Sequence, residues 1–126
     1  MYELLEGVKK SYVNLFFCIE KSHSRRTDSR PAAWTTGCGY GFWLMALTAL
    51  NIPFEVVGPK EWQNTFFPPR IERVGGPKDL SIKTAQEILP GLDLLPTSRC
   101  RKLDHNISDA GLLALFGMKK RASAGG

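Results

Sequence analysis

Charge is missing from one long stretch of this sequence: no Asp, Glu, Lys or Arg occurs from Pro31 to Phe54. Within it GFWLMALTAL is strongly apolar. That length approaches the ~20 residues of a membrane-spanning helix. Thr35, Thr36, Thr48, Asn51 and Pro53 interrupt it, so the reading is a buried helix and no membrane; a membrane segment is the alternative. Cysteine is scarce: Cys18, Cys38 and Cys100 are odd in number, widely spaced and form no C-x-x-C. This argues against a disulfide framework and against a structural zinc site. Cys18 and Cys38 sit in apolar runs, as reduced core cysteines of a cytoplasmic protein do. An apolar signal core is absent too, because MYELLEGVKK is too charged. No G-K-[ST] and no G-x-G-x-x-G occurs, so Gly37, Gly39 and Gly41 make no nucleotide loop and are read as permitting close helix packing.

What is present suits one globular domain with a small core: 126 residues, 43% hydrophobic and 23% charged. The net charge of +5 favours an anionic partner, nucleic acid or an acidic membrane surface.

Residues 2–10 read as a helix with Tyr2, Leu4, Leu5 and Val8 on its apolar side. VNLFFCI, 13–19, is a continuous apolar run, the pattern of a strand buried on both faces of a parallel sheet. A polar, basic loop follows over 22–30. Pro31 opens a helix on which Trp34, Cys38, Phe42, Met45 and Ala49 recur. FEVV, 54–57, is a second strand, which completes a βαβ unit. Pro59 opens a short helix through Trp62; 67–77 is a loop. Further helices cover 78–89 and 106–118, the latter apolar almost all round and expected to be buried. Residues 119–126, KKRASAGG, form a basic tail expected to be disordered. Trp34, Trp43 and Trp62 read as core or interface anchors. Two strands cover little of this helix surface, so strands are either missing or supplied by a partner.

Glu20 stands at the carboxyl end of the first strand, where open α/β sheets place their sites. A carboxylate there can hold Mg²⁺ or Mn²⁺. From the residues alone, an ion pair with Lys21 or a loop arginine is the better reading. Asp104, His105 and Asp109 cluster at the start of the last helix, with 105 and 109 on one face. An Asn106 N-cap with Asp109 in a capping-box variant explains them as well or better. Arg25, Arg26 and Arg30 follow Glu20 directly; Lys78, Lys83, Arg99, Arg101 and Lys102 lie in or near later loops. Such cations suit phosphate contacts, although a solvated surface is the usual explanation of a basic run.

In order, these segments resemble the RuvC-like Holliday junction resolvases, especially the phage type. I-E-K at 19–21 is similar to the family's second acidic motif. The glycine- and aromatic-rich helix follows, then V-V-G-P-K-E-W at 56–62, which resembles a V-x-P-x-x-W segment. K-D-L-S-I-K-T-A-Q-E-I-L-P-G at 78–91 is like the family's lysine-led helix, and D-H-N-I-S-D-A-G-L-L-A-L at 104–115 its final acidic helix. The match covers about residues 13–117.

The resemblance implies an α/β, ribonuclease H-like fold over 1–118, a mixed sheet flanked by helices. It implies a metal-dependent endonuclease that cleaves four-way junctions or other branched DNA with Mg²⁺ (or Mn²⁺), as a cytoplasmic homodimer. Glu20 matches the second metal ligand and Asp109 the last. His105 takes the third place by gapless pairing, while Asp104 is the nearest carboxylate. Arg25, Arg26, Arg30, Lys78, Lys83, Arg101 and Lys102 are the expected DNA contacts. Nothing before Glu20 matches the family's opening strand with its first Asp. The expectation is an N-terminally truncated member whose own catalysis is severely weakened; a branched-DNA-binding module is the alternative.

Overall fold

A computed structural model describes the backbone of residues 2–12 and 14–125. It divides into a first unit, Met1–Val56, and a second, Val57–Gly126.

The first unit is βαβ-like. Helix α1 (Tyr2–Ser11) leads to strand β1 (Phe17–Glu20), helix α2 (Arg30–Ala49) and strand β2 (Phe54–Val57), whose last residue falls in the second unit. The two strands form a two-stranded parallel sheet, order β1-β2. The element types and their order follow the apolar runs. The first strand is shorter than its run, starting at Phe17; the expected start, Val13, lies outside the described residues. It is half-buried and not buried on both faces, because a two-stranded sheet has too little to cover it.

Ser29 caps α2, its hydroxyl accepting from the Ala32 N–H at 3.2 Å, and Pro31 occupies the first turn. At the other end Asn51 adopts φ 53°, a left-handed conformation that Asn tolerates better than most residues. The Ile52 N–H then reaches the Leu47 carbonyl (2.9 Å) and the Asn51 N–H that of Thr48 (3.1 Å). This is a Schellman closure with its apolar contact, Ile52 and Leu47 both lying in the core. Lys9, in the last turn of α1, donates to the Leu50 carbonyl and so closes the same end from outside. The core of this unit is Leu5, Ala46, Leu47, Leu50 and Ile52, with Leu15, Phe17 and Phe54 packed on it.

The expected burial of α2 is overturned. Only Ala46 and Leu47 of this helix are buried; Trp34 is 76% exposed, Met45 62% and Phe42 56%. The recurring face of Trp34, Phe42 and Met45 is the one turned to solvent. Thr35 and Thr48 bond back to the Pro31 and Leu44 carbonyls, which quiets two polar groups on a helix that carries no charge beyond Arg30. Nor do Gly37, Gly39 and Gly41 serve close packing, since a Cβ at each would meet nothing within 4 Å. No helix among the described residues is long and apolar enough to cross a membrane. The cysteines are joined by no disulfide.

In the second unit, helix α3 (Pro59–Phe66) runs past Trp62, α4 covers Pro77–Ile88 and α5 His105–Gly125. Trp62 is buried and meets Phe67 edge-on at 5.7 Å. Arg73 lies over the Phe67 ring, 5.6 Å from its centre, and donates to the Pro68 carbonyl (2.8 Å) and Asn64 (3.2 Å), which ties down the loop before α4. Helix α5 packs on α4 and α3, burying Leu112 and Leu113. It is not apolar and buried all round: Met118 is 68% exposed. Gly111 lets Leu92 approach so closely that a Cβ would come within 2.6 Å of it. The helix continues through Gly125, so residues 119–125 are helical where a disordered tail was expected; Gly126 lies outside the described residues. Lys, Arg and Ala are good helix formers and simply extend the helix already nucleated.

Candidate functional site

Glu20 ends β1 and is exposed, at the carboxyl end of a strand in a parallel pair. The chain then turns. The Arg25 N–H donates to the Asp28 carboxylate (2.8 Å) and the Asp28 N–H to the Arg25 carbonyl (3.0 Å), which folds the basic loop on itself. Arg25 and Arg26 are exposed around this turn, and Arg30 is the first residue of α2. A cation on the positive end of a helix is disfavoured by a few tenths of a kcal/mol or more, a cost that a bound anion relieves.

The other expected site residues belong to the second unit. Asp104 precedes α5, and its Oδ1 accepts from the Asn106 N–H at 2.8 Å. Asp104 therefore caps the helix, and Asn106, the expected cap, stands inside it. Asp109 takes no part in a capping box. It faces α4, where its Oδ1 accepts a hydrogen bond from Ser81.

Ser81 is a hub between two helices. It is fully buried, as is Ser108, and their hydroxyl oxygens lie 2.7 Å apart. Ser108 also reaches the His105 carbonyl at 2.9 Å. Each hydroxyl has one hydrogen. With that of Ser81 given to the carboxylate, that of Ser108 serves either the Ser81 oxygen or the carbonyl. The sequence reading missed both serines. Their signal was a small polar residue at core register on each helix, beside Leu80 and Ala85 on α4 and four before Leu112 on α5.

Arg101, Lys102, Asp104 and His105 all line one open cavity of about 410 Å³. Lys78 and Lys83 are exposed on α4. The structure thus brings Arg101, Lys102, Asp104 and His105 together, and directs Asp109 to the α4 contact.

The fit to a divalent cation is a separate matter. Mg²⁺ asks for near-octahedral oxygen donors. Among the described residues no group of three His, Cys, Asp or Glu side chains gathers to hold a metal ion. One oxygen of Asp104 and one of Asp109 already accept protein hydrogen bonds. These residues do not by themselves fit a closed cation site, and no catalytic step is derived through one. Comparison with known proteins found no family model that matches the chain and no curated protein that matches it.

Proposed function

We propose that this chain is a RuvC-like, ribonuclease H-like protein that acts on branched DNA, four-way junctions foremost, as a Mg²⁺- or Mn²⁺-dependent endonuclease. By the resemblance alone, Glu20 is a proposed metal ligand of the first unit, and Asp109 with Asp104 or His105 are those of the second. The observation that carries this reading is Glu20 at the carboxyl end of β1 in a parallel pair, followed at once by the exposed Arg25, Arg26 and Arg30. Carboxylates beyond strand ends are where such sheets do chemistry, and mobile cations beside them suit a phosphodiester backbone. The ordered resemblance over residues 13–117 supports the same reading. A homodimer is part of it. The exposed, uncharged face of α2, with Trp34, Phe42 and Met45, suits a second copy because it brings no like charges together.

A second reading is a module that binds branched DNA by charge and shape without cutting it. The absence of a three-residue ligand group among the described residues favours it. One experiment separates the two. A labelled four-way junction is incubated, with Mg²⁺, with the chain joined to an upstream Asp-bearing strand of the family type, and with Glu20→Gln of the same protein. Cleavage reduced by about 100-fold or more in the variant supports the nuclease. Salt-sensitive junction binding with no cleavage selects the binding module. Equal cutting by both proteins refutes the site assignment.

A further inference from the structure

We propose that the cavity before α5 receives one unpaired nucleotide of a DNA strand, its phosphate on Arg101 and Lys102 and its base against the apolar floor. This rests on the reading that the partner is DNA, and it names what part of that DNA the cavity takes.

The size is right. A hollow of about 410 Å³ falls in the range of small-molecule sites and exceeds what an isolated phosphate needs. The lining is divided in character. Pro96, Cys100 and Leu103 supply apolar surface, while Arg101 and Lys102 supply adjacent positive charges. Their aliphatic stems extend the apolar part and leave the charged heads at the rim. The His105 ring and the Arg101 guanidinium are the planar groups of the lining, the kinds of side chain on which unstacked bases rest.

Asp104 decides the ligand class. Its carboxylate lines the same cavity and would repel a lone anion. One of its oxygens is committed to the Asn106 N–H at 2.8 Å. A nucleotide satisfies both ends at once, with its charge on the cations and a neutral, hydrogen-bonding base toward the carboxylate. In a paired duplex the Watson–Crick edge is taken up by the partner base and only the groove edges remain.

The walls are held before any ligand arrives. The Asp104 N–H donates to the carbonyl of buried Leu94 at 2.8 Å, which pins the end of the loop. The Cys100 N–H reaches the Thr97 carbonyl (3.1 Å), and the Thr97 hydroxyl lies 3.2 Å from Cys100 Sγ. Little ordering is left for binding to oppose.

The test is a titration of the isotopically labelled full chain with deoxythymidine monophosphate, followed by amide chemical shifts. Saturable shifts confined to residues 97–105 are expected, with Kd of about 1 mM, as suits a single nucleotide. Pro96→Trp, which fills the cavity from an exposed loop position, should abolish them while the rest of the spectrum is retained. Arg101→Glu should weaken them about tenfold, through loss of the phosphate contact. No saturable shift, an equal response to inorganic phosphate, or an unchanged response in Pro96→Trp overturns the proposal. Junction binding is measured alongside. Junction binding with no nucleotide site sinks this inference alone, and a nucleotide site without junction binding upholds it and sinks the junction reading.

Discussion

Ser81 contributes one hydrogen to a meeting of three oxygens, its own, that of Ser108 and Oδ1 of Asp109. Remove it and the half-buried Asp109 carboxylate loses its donor, while the buried Ser108 hydroxyl loses one of its two acceptors. Ser81→Ala should therefore lower stability by about 1–3 kcal/mol, read as a shift of the urea midpoint at constant slope. A double-mutant cycle with Asp109→Ala should show coupling above about 0.5 kcal/mol, since the two groups share one contact. Additive effects would mean that the carboxylate does not depend on the hydroxyl. At this scale the sequence was partly legible. Arg25, Arg26, Arg30, Arg101 and Lys102 were readable as exposed because an unpaired charge does not go inside. Ser81 and Ser108 were not readable as a pair, since a serine fits a surface, a cap or a core hydrogen bond equally well. The error at Asp109 has the same origin. An acid near a helix start looks like a cap, and only the packing of α4 on α5 reveals its partner.

The ends of α2 carry clear sequence signals, and its faces do not. Pro31 and Asn51-Ile52-Pro53 bracket the helix as read, and the Ser29 cap and Arg30 extend its start into what was read as loop. Asn51 holds a left-handed conformation at φ 53° that glycine adopts freely and a β-branched residue does not. Asn51→Gly should be neutral or raise the melting temperature slightly, and Asn51→Val should cost about 1–2 kcal/mol. Equal melting temperatures for the two would contradict the assigned backbone. The burial of α2 was misread because an uncharged run was equated with an interior one. Burial needs a surface to pack on, and a sheet of two strands supplies one only to Ala46, Leu47 and their neighbours. The last helix shows the converse. Residues 119–125 look like a loose tail in composition, yet their backbone prolongs α5 because propagation from a formed helix is easy.

Across the whole chain, the alternation of strand, helix and strand was legible from apolar runs, and so was an all-helical second half. The division near Val56 was not. Gly58-Pro59 lies just beyond it, but that dipeptide serves as the start of α3, so the boundary carries no linker signature. The proposed homodimer has its test at this scale. Trp34→Glu combined with Met45→Glu places charge in the exposed face of α2 without touching the core of its unit. The wild-type chain should sediment as a dimer and the double variant as a monomer, each with an unchanged circular dichroism spectrum. A monomeric wild type, or a variant that still pairs, would remove α2 as the contact.

Two of the tryptophans live in opposite worlds: Trp62 is 1% exposed and Trp34 76%. Indole emission moves to longer wavelength as water relaxes around the excited ring. The protein thus carries native optical reporters at both extremes, Trp62 for the interior of its second unit and Trp34, with the 37%-exposed Trp43, for α2. Iodide or acrylamide will quench the red component first, so anything that covers that helix announces itself without a label.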